Sequence, residues 1–226
     1  MENCEQSNSV NDYYSQCRKL GKNIYEIWEE GGAYKDSITP AIYNPDYRNF
    51  MGEKIELSIE KDRRKPILSV GSGNATLEKE LHEKGYSIAV NDINQDAIEF
   101  ARKKGLSFIL GDIRKLNFSE NTFALIYCDG VIGHLYDREQ GLQNIFSRLR
   151  QWLYKKSGKI LISNDSTNDK SDLQSHPRVR GFWWFSEAYL AEELLRAGFN
   201  QIESEYFLYT RPLSGCSKRL IITAIV

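Results

Sequence analysis

The chain has 226 residues, 41% hydrophobic and 27% charged, with 30 Lys and Arg against 31 Asp and Glu for a formal net charge of -1. That make-up suits one α/β domain, or a small domain with an elaboration, and excludes a disordered chain. Balanced charge argues against a nucleic-acid partner, which calls for a basic surface, and no apolar run approaches the length of a membrane span.

The first ten residues are polar and read as a frayed end without an export signal. Cys4, Cys17, Cys128 and Cys216 form no C-x-x-C pair, and no histidine stands at zinc-finger spacing. They read as reduced thiols of a cytoplasmic protein, with no metal site expected. Residues 13–30 predict a helix, with Leu20, Ile24, Ile27 and Trp28 at helical spacing and Gly31 and Gly32 closing it. Residues 47–60 predict a second, carrying Phe50, Met51, Ile55 and Ile59, and a charged hinge over 60–65 follows. Tyr13, Tyr14, Tyr25, Trp28, Tyr34, Tyr43, Tyr47 and Phe50 crowd this region. It is either a helical layer against a sheet or a lid over a crevice. The stiff loop over 31–45 favours the lid, so residues 1–60 are expected as an N-terminal helical cap and 61–226 as the main domain.

The main domain opens on Pro66-Ile-Leu-Ser-Val-Gly-Ser-Gly-Asn-Ala-Thr-Leu77. A buried strand runs into a glycine pair and then a helix with Leu77 and Leu81 on one face. Glycine allows both the tight turn and a close approach of ligand to backbone, and the helix start adds positive potential. Short strands follow over 86–92, 106–112 and 123–129, the last residues being Asp92, Asp112 and Asp129. Asp92 lies 19 residues past Gly73, the spacing of a carboxylate that takes a ribose diol across the crevice. A helix over 140–154, a fifth strand over 159–163 and a long polar loop over 164–177 come next. A helix from Phe185 or Ser186 to Gly198 leads to strands over 201–209 and 217–226. The turn between those last two is too short for a helical crossover, so they pair antiparallel.

The ordered set Leu68-Ser-Val-Gly-Ser-Gly-Asn-Ala75, Val90-Asn-Asp92, Gly111-Asp112-Ile113 and Gly130-Val-Ile-Gly-His134 resembles a class I S-adenosylmethionine-dependent methyltransferase of small-molecule type. The resemblance implies a Rossmann-like, seven-stranded, mostly parallel sheet with helices on both faces and an antiparallel C-terminal hairpin. It implies S-adenosyl-L-methionine as cofactor and S-adenosyl-L-homocysteine as product, with residues 61–226 as the binding domain. Two departures stand out: Ser69 where the family often has Asp or Glu to organise the methionine amine, and Ala75 where a third glycine is common.

On that resemblance Gly71, Ser72 and Gly73 line the methionine and ribose side, and Asp92 accepts two hydroxyl hydrogen bonds. Ile93 packs on adenine, Asp112 takes the adenine amine and Ile113 adds apolar packing. Asp92 and Asp112 have plainer alternatives as helix or turn caps. Methyl transfer needs alignment and exclusion of water more than acid–base machinery. His134 and Asp129, after the fourth strand, are the candidate catalytic groups: His134 as a base for a hydroxyl, Asp129 as the orienter of an amine or a further cofactor contact. Tyr34, Tyr43, His134, Arg178, Arg180, Trp183 and Trp184 are expected around the acceptor, the arginines clamping an acidic end and the tryptophans stacking. Oxygen is favoured over nitrogen as the acceptor atom, because a hydroxyl gives His134 a task. RNA, peptide or protein methylation and a non-catalytic cofactor-binding protein are the alternatives. A monomer or homodimer is expected.

Overall fold

The computed structural model describes residues 13–15, 21–33, 37–177, 179, 181–211 and 214–226. Its centre is a sheet in which residues alternate between two apolar layers with a period of two. Leu68, Val70, Ile126, Cys128, Ile160 and Ile162 enter one layer. Ile67, Val90, Leu125, Tyr127 and Leu161 enter the other. A strand buried on both faces belongs in the middle of a parallel sheet, and β1 (Ile67–Val70) is buried at all four positions.

The parallel strands are β1, β2 (Ile88–Asp92), β3 (Ser107–Leu110), β4 (Leu125–Asp129) and β5 (Lys159–Asp165). After β6 (Leu173–Ser175) and β7 (Trp183–Phe185), the chain ends in β8 (Asn200–Arg211) and β9 (Gly215–Ile225). Strand β9 pairs antiparallel with both β5 and β8, which gives the seven-stranded order β3-β2-β1-β4-β5-β9-β8. The expected sheet and C-terminal hairpin are therefore present. Strand order reverses between β1 and β4, and an open α/β sheet receives ligands at such a switch point, beyond the C-terminal strand ends.

The helices in chain order are α1 (Ile24–Glu29), α2 (Pro40–Tyr43), α3 (Pro45–Ser58), α4 (Thr76–Glu83), α5 (Gln95–Lys103), α6 (Ile132–Leu135), α7 (Gln143–Trp152) and α8 (Glu187–Arg196). Tyr47, Met51 and Ile55 of α3 and Leu77 and Leu81 of α4 cover one face of the sheet. Ile145, Phe146 and Leu149 of α7 and Leu190 and Leu194 of α8 cover the other. No helix among the described residues is long and apolar enough to cross a membrane.

Two expectations need correction. The helix expected over 13–30 is not continuous: Gly21 sits at φ +79°, and α1 starts afresh at Asn23, which closes a capping box with Glu26. Leu20 lies outside the described residues. The polar loop over 164–177 is also not structureless, because β6 within it pairs antiparallel with β7 as a separate two-stranded sheet.

Candidate active site

Strand ends β1, β2 and β4 deliver Gly71, Asp92 and Asp129 to one crevice, which encloses about 800 Å³ of space, open solvent included. The turn after β1 is fastened to its neighbour: the N–H groups of Gly71 and Ser72 donate to Asn91 O at 2.8 and 3.1 Å. Gly71 (φ +68°) must be glycine, since a Cβ there would stand 2.5 Å from Val131 Cγ2. At Gly73 (φ +56°) a Cβ would meet the Trp28 ring at 3.3 Å, so the bare backbone keeps that wall open. Ala75 also adopts left-handed backbone (φ 53°) at the start of α4, the conformation that explains why glycine suits this position.

Asp92 is buried at the crevice wall, with Oδ2 accepting from Gly73 N at 3.0 Å and Oδ1 from Asn94 N at 2.9 Å. Burial pushes its pKa up to about 6, against those backbone donors. It is not the cap of α5, because Asn94 fills that role by accepting from Asp96 N at 2.8 Å. Ile93 lines the crevice and also a smaller cavity bounded by Asp112, Ile113, Arg114 and His134. Asp112 is held there by Arg114, whose Nε and Nη2 each approach a carboxylate oxygen at 3.0 Å.

Two further carboxylates reach the crevice, and only Asp129 was expected there. Glu78, on the first turn of α4, turns inward and accepts from Ser69 Oγ at 2.6 Å. It is 5% exposed, and burial pushes its pKa up to about 7. On the helical pattern it flanks Leu77 and resembles a surface acid, so the sequence does not single it out. Asp129 accepts from Tyr47 and Tyr127 hydroxyls, each at 3.1 Å, and forms an ion pair with Arg219. Burial first, then the Asp129 charge, pushes both phenols well up, so they remain donors.

A second, adjoining chamber shares Tyr14, Trp28, Thr39 and Gly130 with the first. Gly130 (φ +67°) keeps the two connected, since a Cβ there would crowd Thr39 Cγ2 and Arg219 Nη2 at 3.2 Å each. Asp165, Arg211 and Arg219 line this chamber beside His176, Val179 and Phe182. Asp165 pairs with Arg211, accepts from Tyr209 OH at 2.7 Å and stands 3.5 Å from Arg219 Nη1. Arg219 was legible as an oddity: alternation in β9 puts it on the face of buried Ile221.

His134 is buried in the crevice wall, its Nε2 3.0 Å from Tyr14 OH. Burial pulls its pKa down to about 3. The expected aromatic pair is not at the crevice. Trp183 packs on Tyr136 with ring centroids 5.1 Å apart, Trp184 packs on His176 at 4.9 Å, and neither lines the two chambers. Strand β7 is consumed by pairing with β6, and the neighbouring Phe182 supplies the apolar wall instead. Tyr43 likewise points away, donating to Thr210 O at 3.0 Å, while Thr39, Ala41 and Ile42 face the crevice. Tyr34, Arg178 and Arg180 lie outside the described residues, as do Cys4 and Cys17; Cys128 is buried, and burial raises its thiol pKa.

Residues 67–152 match the family model described as "Methyltransferase domain". The chain is 38% identical over 222 residues to the "Tabtoxin biosynthesis enzyme" of Pseudomonas amygdali pv. tabaci, covering 96% of this chain and 87% of that one. It is 27% identical to phosphoethanolamine N-methyltransferase 1 of Triticum aestivum over 60% of this chain, but over only 28% of that longer protein. In fold it is similar to the Burkholderia thailandensis 1,6-didemethyltoxoflavin-N1-methyltransferase, solved with 1,6-didemethyltoxoflavin and S-adenosylhomocysteine. That match has a TM-score of 0.65 at 20% identity, covering 88% of this chain and 84% of that one.

Proposed function

The chain belongs to the class I S-adenosylmethionine-dependent methyltransferases, and we propose that it methylates a nitrogen of a small metabolite carrying a charged head group. Bound S-adenosylmethionine supplies a methyl group already activated on a sulfonium, with S-adenosylhomocysteine as the leaving product. The crevice offers that molecule a polar anchor: Ser72 Oγ is buried there without a hydrogen-bond partner among the described residues. Asp92 would hold the ribose hydroxyls with a carboxylate steadied by two backbone N–H groups. Gly71 and Gly73 would admit the cofactor close to the backbone, and Ile93, backed by Ile113 and Asp112, would flank the adenine.

The acceptor would occupy the second chamber and meet the cofactor beside Gly130 and Thr39, two of the residues shared by both spaces. Its charged group would face Asp165, Arg211 and Arg219, and its body would rest on Phe182 and Val179.

The observation that carries the choice of nitrogen is the state of His134. A ring whose pKa burial holds near 3 is neutral but far too weak a base to draw a proton from a hydroxyl near neutrality. This removes the reason for favouring oxygen. An amine that arrives neutral needs no base in the transfer step, only orientation and a dry site. The names of the wheat and Burkholderia proteins, both N-methyltransferases, support the same reading. The test is turnover of a library of small amines and hydroxyl compounds with carbon-13 methyl-labelled cofactor, followed by NMR of the product. A methyl carbon bonded to nitrogen is expected. A methyl ether or ester as main product would overturn the choice.

A further inference from the structure

Three carboxylates face the crevice: Asp92, Glu78 and Asp129. Two are already committed. Asp92 is held by the N–H groups of Gly73 and Asn94, one on each carboxylate oxygen. Asp129 is neutralised by Arg219 and bonded by two tyrosines. Glu78 differs. Among the described residues no cation lies within 4.0 Å of it, although its helix neighbours Lys79 and Glu80 are each paired, with Glu83 and Arg48. Its side chain accepts from Ser69 Oγ, its own backbone N–H also favours the charged form, and it lines the crevice with Gly71, Gly73 and Asn74 but not the second chamber.

A buried acid that faces a cavity with no cation of its own is costly to ionise until a cation arrives. The cofactor brings one: its amino-acid end carries an ammonium, and that end needs an anion beside the glycine turn. We infer that Glu78 is the anchor for the cofactor's ammonium, with Ser69 as the hydroxyl that aims it. This rests on the methyltransferase reading above. A serine at position 69 is then not a lost function. A carboxylate placed there would lie against Glu78 Oε1, so only one of the two positions can be acidic. Burial raises its pKa to about 7, so a cation arriving beside it would favour the ionised form.

Calorimetry with two probes tests this: S-adenosylhomocysteine and its analogue lacking the α-amine. Wild type should prefer the amine-bearing ligand by roughly ten- to a hundredfold, the worth of a charge-assisted hydrogen bond. Glu78→Gln should lose that preference by binding S-adenosylhomocysteine more weakly while holding the deaminated analogue as before. The exchange Ser69→Asp with Glu78→Ser should regain it, because it restores one acid at the site. Equal weakening for both ligands in Glu78→Gln, or an unchanged preference, overturns the inference while leaving the cofactor assignment intact. Failure of wild type to bind S-adenosylhomocysteine overturns both. Comparison of the two ligands on wild type needs no variant to fold.

Discussion

Glu78, Asp92 and His134 set how the protein responds to pH. Both carboxyls have folded pKa values above their unfolded ones, about 7 and about 6, because burial disfavours the charged form. Between about pH 4 and 7 the folded chain therefore binds more protons than the unfolded chain at these sites, and their contribution to stability falls as pH rises. His134 works oppositely: with its folded pKa near 3, it disfavours folding below its unfolded pKa, and stability returns as pH climbs toward 6.5. The Glu78 part can be isolated. Thermal or urea unfolding of Glu78→Gln without cofactor should show a gain over wild type of about 3 kcal/mol at pH 8, shrinking to nothing near pH 4.5. A variant less stable than wild type at pH 8 would mean that the Ser69 bond outweighs burial of the charge. The pairing of Ser69 with Glu78 was not legible in the sequence, because position 78 flanks the apolar stripe of its helix and resembles any solvated glutamate. Gly71, Gly73 and Asp92 were legible because a tight turn after a buried strand calls for glycine, and an acid closing such a strand needs polar partners.

At the scale of elements, α1 is tied to the glycine turn. Trp28 of α1 lies against Gly73 and donates to Ser37 O at 2.5 Å, while Glu29 accepts from Asn74 Nδ2 at 2.9 Å and pairs with Lys104 at 2.9 Å. Tyr14 stacks edge-on against both Trp28 and His134. We propose that this layer tightens over the crevice when cofactor is bound. Hydrogen exchange should slow across α1 and the residues around Thr39 when S-adenosylhomocysteine is added. Trp28→Ala should weaken its binding roughly tenfold, the scale of one aromatic packing contact. Unchanged exchange would leave α1 a fixed layer. The break in the expected N-terminal helix was readable, since Asn23 and Glu26 form an N-x-x-E box that apolar spacing alone overrode. The small sheet of β6 and β7 was not: Leu173-Gln-Ser has no strand pattern, and its partner Trp183-Trp-Phe is aligned by contact with β5. Hence Trp183 and Trp184 were expected at the acceptor, whereas Phe182 and His176 line the second chamber.

At the scale of the whole molecule, sheet order was legible because each buried strand is short, apolar and closed by a turn, and the last connection is too short to cross over. The second chamber was not. Asp129, Asp165, Arg211 and Arg219 come from β4, β5, β8 and β9, and pairs as far apart as 90 residues meet only once β9 inserts beside β5. Such an array is held together by its own charges, so removing one member strands the others, and an acceptor proposed there would meet groups that already have partners. All of this turns on what each wall of the crevice holds. The most direct measurement is a crystal structure with S-adenosylhomocysteine bound. Both ribose hydroxyls should lie within hydrogen-bond distance of Asp92, the amine on Glu78 and the sulfur turned toward Gly130. A ligand with its ribose away from Asp92, or its amine on any group other than Glu78, would contradict the assignment.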